Sequence, residues 1–139
     1  MSEGRTLSPG EARGEPLVLD EPLSFWGGVD PASGRIIDRH HPQVGQSVAG
    51  RILVMHSGRG SSSSSSVLAE AVRAGTGPAG IVLREPDGIV ALGALVAAEL
   101  YGAEVPVVVL DPADYDRVRS LGSILVRAAG ARALVEPAP

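Results

Sequence analysis

The middle of the chain joins a buried-strand pattern to a helix through a loop of glycine and serine. Residues 51–55, Arg-Ile-Leu-Val-Met, form a short apolar run of the kind found in buried strands. This run leads into Gly58-Arg59-Gly60 and then into six consecutive serines, residues 61–66. The apolar residues after the serines fall on one face of a helix, which a Gly-Thr-Gly-Pro turn closes. A strand, a Gly/Ser loop and a helix in this order indicate an α/β domain.

Short strand patterns lie on both sides of this unit, so the domain is predicted to be rich in strands. We expect strands at residues 16–20, 23–26, 35–38, 80–83, 105–110, 123–127 and 132–136. Two or three helices are expected in all; one begins after Asp111 with Pro112 at its first position, and another ends at Gly102. The polar, glycine-rich residues 1–15 are expected to be a flexible lead-in, and residues 16–139 to form a single domain.

The charge balance and the missing residue types exclude several classes of function. The 12 basic residues are all arginine, and 16 acidic residues bring the formal net charge to −4, which disfavours a nucleic-acid-binding face. Cysteine is absent, so the chain alone offers no disulfide, thiol nucleophile or cysteine-ligated metal centre. No apolar stretch has the length of a membrane span or the pattern of a leader peptide, and a cytoplasmic location is expected.

The loop at residues 58–61 combines three features that suit the binding of an anion. Backbone N–H groups at the start of a helix are unpaired, and they attract carboxylate or phosphate groups. Arg59 can add a bidentate, charge-assisted contact to the same anion. A helix N-terminus also stabilises a serine oxygen that must carry negative charge. The loop is not a Walker P-loop, because the chain contains no lysine.

The polar residues can also be interpreted as linker, turn or hydrogen-bonding residues without a role in chemistry. A serine run is commonly a solvated linker, although its position between a strand pattern and an amphipathic helix favours an ordered loop. The adjacent His40 and His41 would point apart in a turn, so we assign no metal site and expect surface or hydrogen-bonding roles. Asp30 and Asp38 flank a turn and are expected to bond to their own backbone. No Ser-His-Asp arrangement can be assigned from the spacing.

Five segments, in their order and spacing, resemble a known family. They are residues 25–31 (FWGGVDP), 34–38 (GRIID), 41–42 (HP), 50–54 (GRILV) and 58–63 (GRGSSS). In this succession, over about residues 22–110, the chain resembles the small, swivelling-domain subunit of the aconitase X family of dehydratases. The resemblance implies a swivelling β/β/α domain with a barrel-like, strand-rich core.

The resemblance also implies that the chain is one part of a divided enzyme. In aconitase-like dehydratases a large subunit or domain holds the iron or iron–sulfur centre, and the swivelling domain closes over it carrying a catalytic serine. The family's motif makes Ser61 the proton-abstracting residue, with Ser62 and Ser63 as alternatives because the serine run leaves the register open. The residues implied to bind substrate are Gly58, Arg59, Gly60, Ser62 and Ser63. No cofactor is expected in this chain, and its expected partner is the large subunit.

Two substrates are associated with relatives of this kind. Bacterial-type enzymes act on cis-3-hydroxy-L-proline and archaeal-type enzymes on mevalonate 5-phosphate. The long serine run after Gly-Arg-Gly resembles the hydroxyproline group, so cis-3-hydroxy-L-proline is the expected substrate, and the small subunit of a mevalonate 5-phosphate dehydratase is the alternative. A third possibility is a non-catalytic anion-binding or partner module that uses the same loop without chemistry.

Overall fold

Eight strands form one sheet in the computed structural model, which describes residues 2–139. The order across the sheet is β2-β7-β8-β1-β6-β5-β4-β3. The strands are β1 (Ser2–Ser8), β2 (Gly10–Gly14), β3 (Pro16–Val18), β4 (Ile52–Met55), β5 (Gly80–Leu83), β6 (Val107–Val109), β7 (Ile124–Ala129) and β8 (Arg132–Pro137).

The centre of the fold is a parallel unit formed by β3, β4, β5 and β6. Every residue of β4 and β5 is buried, which agrees with their continuous apolar sequences. Successive side chains of β4 enter opposite sides of the sheet, so that Leu53 joins one hydrophobic cluster and Val54 joins the other. The core therefore has two layers, one on each face of these strands.

The remaining strands pair antiparallel and curl the sheet towards closure. β1 lies between β6 and β8, and β2 is an edge strand that pairs with β7. A Cβ built on Gly14 of β2 would stand 2.9 Å from the carbonyl oxygen of Gly50, immediately before β4. Ala12 of β2 likewise lies against Gly80 of β5. The two ends of the sheet therefore approach each other, and the predicted barrel-like, strand-rich α/β fold is confirmed.

Four helices cover the sheet, where two or three were expected. They are α1 (Phe25–Gly28), α2 (Ser63–Ala74), α3 (Gly88–Tyr101) and α4 (Pro112–Val118). Leu68 of α2 and Ala94 of α3 belong to one hydrophobic cluster, whereas Tyr115 and Val118 of α4 belong to the other. Thus α2 and α3 pack together on one face of the sheet, and α4 packs on the opposite face.

The expectation of a flexible lead-in at residues 1–15 is wrong for the described part of that segment. Residues 2–14 form β1 and β2, and β1 occupies the interior of the sheet. The prediction rested on the low apolar content of the segment. The segment is ordered instead by backbone pairing, such as Arg5 with Val109 and Ser2 with Val135. Ser2 and Ser8 are themselves buried. Polar side chains thus occupy inward positions that a sequence pattern assigns to apolar ones.

Two predicted strands in the first fifty residues are also corrected. Residues 25–28 form the single turn α1 instead of a strand, with Gly27 at a φ of 76°. Residues 35 and 36 make only isolated bridges, to Ser47 and Val29 respectively. Gly27 comes directly after the predicted strand 23–26, and its positive φ, which glycine adopts at low cost, turns the chain there. Within that predicted strand Leu23 makes one isolated bridge, to Gly58, instead of a ladder. Within residues 2–139, the helices include none long and apolar enough to cross a membrane.

Candidate functional site

The Gly/Ser loop lies where two helices begin beside the parallel strands. β4 leads through this loop into α2, and β5 leads through Asp87 into α3. Because β4 and β5 are parallel neighbours, both helices start at the same edge of the sheet. Ligands of open parallel sheets bind beyond the carboxyl ends of the strands. The fold therefore brings the predicted loop to the edge where an α/β domain commonly places its site.

The loop presents a row of free backbone donors. The N–H of Arg59 donates to the carbonyl oxygen of Leu23 at 3.0 Å, which holds the first half of the loop against the segment before α1. The N–H groups of the next three residues, Gly60, Ser61 and Ser62, have no protein acceptor within residues 2–139. Gly60 and Ser62 are exposed and Ser61 is half-buried. Three consecutive free donors at a helix N-terminus are suited to the binding of an anion.

Ser61, the predicted catalytic residue, lies at the start of this row. Its Oγ accepts a hydrogen bond from the N–H of Ser63 at 3.3 Å, and its carbonyl oxygen accepts from Ser64 at 2.9 Å. The alternatives Ser62 and Ser63 are exposed, and Ser62 occupies the N-cap position of α2 without a capping bond from its side chain. Ser61 is therefore the serine of these three whose hydroxyl oxygen is held by a backbone donor.

The side chain of Arg59 is paired with a carboxylate of the same domain. Its guanidinium forms an ion pair with Glu21, with the Nη2 and Oε1 atoms 3.5 Å apart. Both side chains are about half exposed, so water screens the attraction and the pair stabilises the fold little. Because the pair is weak, Arg59 can exchange Glu21 for the carboxylate or phosphate of a ligand at small cost.

Ser64 is a residue that the sequence reasoning did not single out. It is buried, its Oγ lies 3.0 Å from the Oγ of Ser24, and it accepts the N–H of Trp26 at 3.1 Å. The contacts tie the first turn of α2 to α1. A signal was present in the sequence, because Ser64 precedes Leu68 by four residues and therefore shares the buried face of the helix.

Asp87 is the second residue that the sequence reasoning did not single out. Its Oδ1 accepts the N–H groups of Ile89 and Val90, both at 3.0 Å, and so caps α3. Its Oδ2 accepts the N–H of Gly58 at 2.8 Å. Aspartate before an apolar, helix-forming run is a recognisable N-cap pattern, but the contact with the loop has no signature in the sequence.

The space enclosed at this site is small. A cleft between the loop and α3 is lined by Phe25, Gly58, Ser64, Asp87 and Val90, and its volume is about 10 Å³. That is room for about one water molecule. Gly60 lines this cleft, whereas Ser61 and Ser62 do not, so the cleft by itself encloses neither the row of donors nor a molecule of substrate size.

The other polar residues take structural roles. His41 is buried, with its Nε2 atom 3.0 Å from the carbonyl oxygen of Glu21 and its Nδ1 accepting the N–H of Gln43. Asp30 and Asp38 each accept a backbone N–H two residues ahead, as expected for turns. In residues 2–139, His, Asp and Glu side chains form no group of three or more that could hold a metal ion.

Known proteins resemble the chain over nearly its whole length. Residues 1–135 match the family model of the aconitase X swivel domain. The crystal structure of Thermococcus kodakaraensis aconitase X in its holo-form superimposes with a TM-score of 0.78 at 33% sequence identity, covering 98% of this chain and 99% of that chain.

Two kinds of curated relative match the sequence. A cis-3-hydroxy-L-proline dehydratase of Pseudomonas aeruginosa is 55% identical over 106 residues, which are 76% of this chain and 18% of that protein. A phosphomevalonate dehydratase small subunit of Methanothermobacter thermautotrophicus is 44% identical over 93 residues, 67% of this chain and 71% of that subunit. The chain spans about a fifth of the length of the two cis-3-hydroxy-L-proline dehydratases that it matches, the second being from Hypocrea jecorina.

Proposed function

The chain belongs to the aconitase X swivel-domain family, and we propose that it is the small subunit of a dehydratase that shares its active site with a larger partner. One observation carries this proposal: three consecutive free N–H donors and a backbone-held serine lie in a loop whose first residues, 58–60, line a cleft too small to enclose a substrate. A partner subunit that closes over the loop supplies the missing wall and excludes water.

The proposed reaction removes water from a hydroxy acid. Ser61, as its alkoxide, takes the proton from the carbon next to the carboxylate, and the electron pair of that C–H bond forms the new double bond as the hydroxyl group leaves. The metal centre, which we place in the large subunit, supplies the Lewis acid for the departing hydroxide when it is bound. The proton ends on Ser61 Oγ and must return to solvent before the next turnover.

The residues of this chain provide the charge stabilisation that a serine base requires. The N–H of Ser63 already donates to Ser61 Oγ, and such a bond strengthens when the oxygen becomes negative. The free N–H groups of Gly60 and Ser62 are available to the substrate carboxylate. Arg59 leaves Glu21 and joins the same carboxylate as the subunits close. In a closed, low-dielectric site these contacts act more strongly than they do in water.

The identity of the relatives supports cis-3-hydroxy-L-proline as the first substrate to test. The Pseudomonas aeruginosa relative named for this activity is 55% identical, compared with 44% for the phosphomevalonate dehydratase small subunit of Methanothermobacter thermautotrophicus. A segment like this chain makes up 18% of the Pseudomonas protein, which supports the need for a much larger catalytic partner. Mevalonate 5-phosphate is the alternative substrate.

The test is an assay of the purified complex of this chain with its large-subunit partner. Wild type, Ser61→Ala and Ser66→Ala are compared on cis-3-hydroxy-L-proline and on mevalonate 5-phosphate. Ser66 is an exposed serine of the same run and serves as the matched control. We expect turnover of one substrate by wild type and Ser66→Ala, and a loss of kcat on the order of 1,000-fold or more in Ser61→Ala.

Three outcomes separate the alternatives. If the complex turns over mevalonate 5-phosphate and not cis-3-hydroxy-L-proline, the chain is the small subunit of a mevalonate 5-phosphate dehydratase. Full activity of Ser61→Ala removes Ser61 from the role of base, and the same comparison with Ser62→Ala and Ser63→Ala then identifies the base. If the complex forms but both substrates are ignored, while the isolated chain binds a carboxylate or phosphate and loses that binding in Arg59→Ala, the non-catalytic anion-binding module replaces the dehydratase.

A further inference from the structure

Asp87 connects two parts of the site that lie 29 residues apart in the sequence. One of its carboxylate oxygens is occupied by the first N–H groups of α3, and the other accepts the N–H of Gly58. The contact with Gly58, at 2.8 Å, is the shortest of the three. A single side chain therefore fixes the position of the loop relative to the start of the neighbouring helix.

Gly58 is packed so closely against Asp87 that a side chain would not fit. A Cβ built on Gly58 would stand 2.8 Å from Asp87 Oδ2 and 3.0 Å from Val90 Cγ2. Gly58 does not have a positive φ, so the requirement for glycine here comes from space and not from backbone conformation. The close approach brings the N–H of Gly58 within hydrogen-bonding distance of the carboxylate.

The hydrogen bond between Gly58 and Asp87 affects the position of Ser61 through the backbone that joins them. The N–H of Gly58 is held by Asp87, and the next N–H, that of Arg59, is held by Leu23. From Gly60 onward the N–H groups are free, and Ser61 follows at once. The two held amides thus determine where the row of free donors begins.

We propose that Asp87 is a positioning residue, which sets the placement of the loop that carries Ser61. The catalytic part of this inference rests on the proposed function, whereas the anchoring of the loop can be measured in the chain alone. A purely structural interpretation would make Asp87 a helix cap and nothing more. Asp111 is such a cap, since its side chain accepts from Asp114 of α4 and has no contact with the site loop.

Asp87→Ser separates the two roles. Serine is a good N-cap, and its single oxygen can continue to accept from the first N–H groups of α3. It has no second oxygen for Gly58, and its side chain is shorter, so the bond to the loop is lost. Asp111→Ser is the matched control, because it makes the same change at the cap of α4.

The first measurement is amide hydrogen exchange in the isolated chain, resolved by NMR. We expect the amide of Gly58 to exchange about tenfold faster in Asp87→Ser than in wild type, as the loss of a hydrogen bond to a charged group implies. The amide of Val90 should retain its protection, because the cap is kept. Asp111→Ser should leave Gly58 unchanged. Unaltered exchange of Gly58 in Asp87→Ser would overturn the anchoring role.

The second measurement uses the complex with the large subunit. Misplacing the serine should lower kcat on the order of 10–100-fold in Asp87→Ser while KM changes by less than about threefold, and Asp111→Ser should match wild type. Faster exchange of Gly58 with an unchanged kcat would refute the catalytic consequence. If the wild-type complex has no activity, the proposed function fails, and the exchange experiment still decides whether Asp87 anchors the loop.

Discussion

Gly93 of α3 packs directly on the backbone of α2, where a Cβ built on it would stand 2.9 Å from the carbonyl oxygen of Ser65. Two side-chain atoms of Leu68 lie within 3.1 Å of the same position. Because Ser65 belongs to the first turn of α2, this close contact determines how near the starts of α2 and α3 lie to each other. The geometry of the site edge thus depends on a glycine that has no part in the chemistry.

Gly93→Ala should therefore destabilise the domain. The extra methyl group forces the two helices apart, and overpacking of this kind costs about 1–3 kcal/mol. Urea denaturation measures the free energy of unfolding. The control is Gly88→Ala, at the exposed first position of α3, where a Cβ meets nothing within 4 Å. A Gly93→Ala domain as stable as Gly88→Ala would contradict the close packing.

Ser64→Ala should weaken the attachment of α1 to α2. The change leaves the N–H of Trp26 without its acceptor and removes the contact with Ser24, at an expected cost of about 1–2 kcal/mol. Trp26 is the chain's single tryptophan, so its fluorescence reports on this region directly. We expect an altered emission spectrum in Ser64→Ala and none in Ser66→Ala. Identical spectra and stabilities for the two variants would show that the contact is unimportant.

Tyr115 gives the domain a pH dependence in the alkaline range. Burial raises the pKa of this phenol to about 12, whereas in the unfolded chain a tyrosine ionises near pH 10. Because the folded state holds the phenol proton more tightly than the unfolded state does, the free energy of unfolding has its full value below about pH 10. It falls as the pH rises towards 12. The upper limit of the loss is about 2–3 kcal/mol.

The comparison for Tyr115 is Tyr115→Phe. The hydroxyl group is buried without a hydrogen-bond partner in the described residues, so its removal should leave stability at neutral pH unchanged or slightly higher. Denaturation at several pH values should show wild type losing stability relative to Tyr115→Phe between about pH 10 and 12. Parallel curves for the two proteins would mean that Tyr115 titrates as an exposed residue does.

Deleting residues 2–14 should abolish cooperative folding. The deletion removes β1 from between β6 and β8 and leaves both strands with unpaired backbone groups. Far-UV circular dichroism and thermal denaturation should show no native transition. Removal of residues 138 and 139, which follow β8, is the control and should leave a folded domain. A folded, cooperative product of the larger deletion would mean that β1 is dispensable.

The sequence predicts the parts of the fold whose apolar patterns are local. The buried strands β4 and β5 and the helices α2 and α4 lie close to where residue periodicity and capping indicate them. β1 and β2 could not be predicted in this way. Most of their residues are polar, and they are ordered by backbone pairing with strands from the C-terminal part of the chain, such as Arg5 with Val109 and Gly10 with Ala128.

The candidate site also has a part that the sequence could predict and a part that it could not. Gly58, Arg59, Gly60 and Ser61 could be identified because they are contiguous and precede a helix, and their chemical roles remain predictions. Asp87 follows β5, whereas the loop follows β4. The two meet because α3 packs beside α2, and the sequence pattern does not show that contact. Arg59 was expected to bind an anion, and in the isolated domain it pairs with the carboxylate of Glu21, a contact that the sequence did not indicate.

Ser2 pairs with Val135 and Arg5 pairs with Val109, and these pairings determine the order in which the strands can assemble as the chain is synthesised. β1 has no partner in the sheet until β6 has been made, and its second partner, β8, is made later still. The parallel unit of β3, β4 and β5 can begin to assemble earlier. β6 then pairs with β5 and with β1, and the other side of β1 stays open until β8 has been made. Contacts of such long sequence separation slow folding, so the sheet is completed late, and the open edge of β1 is exposed to aggregation until β8 pairs with it.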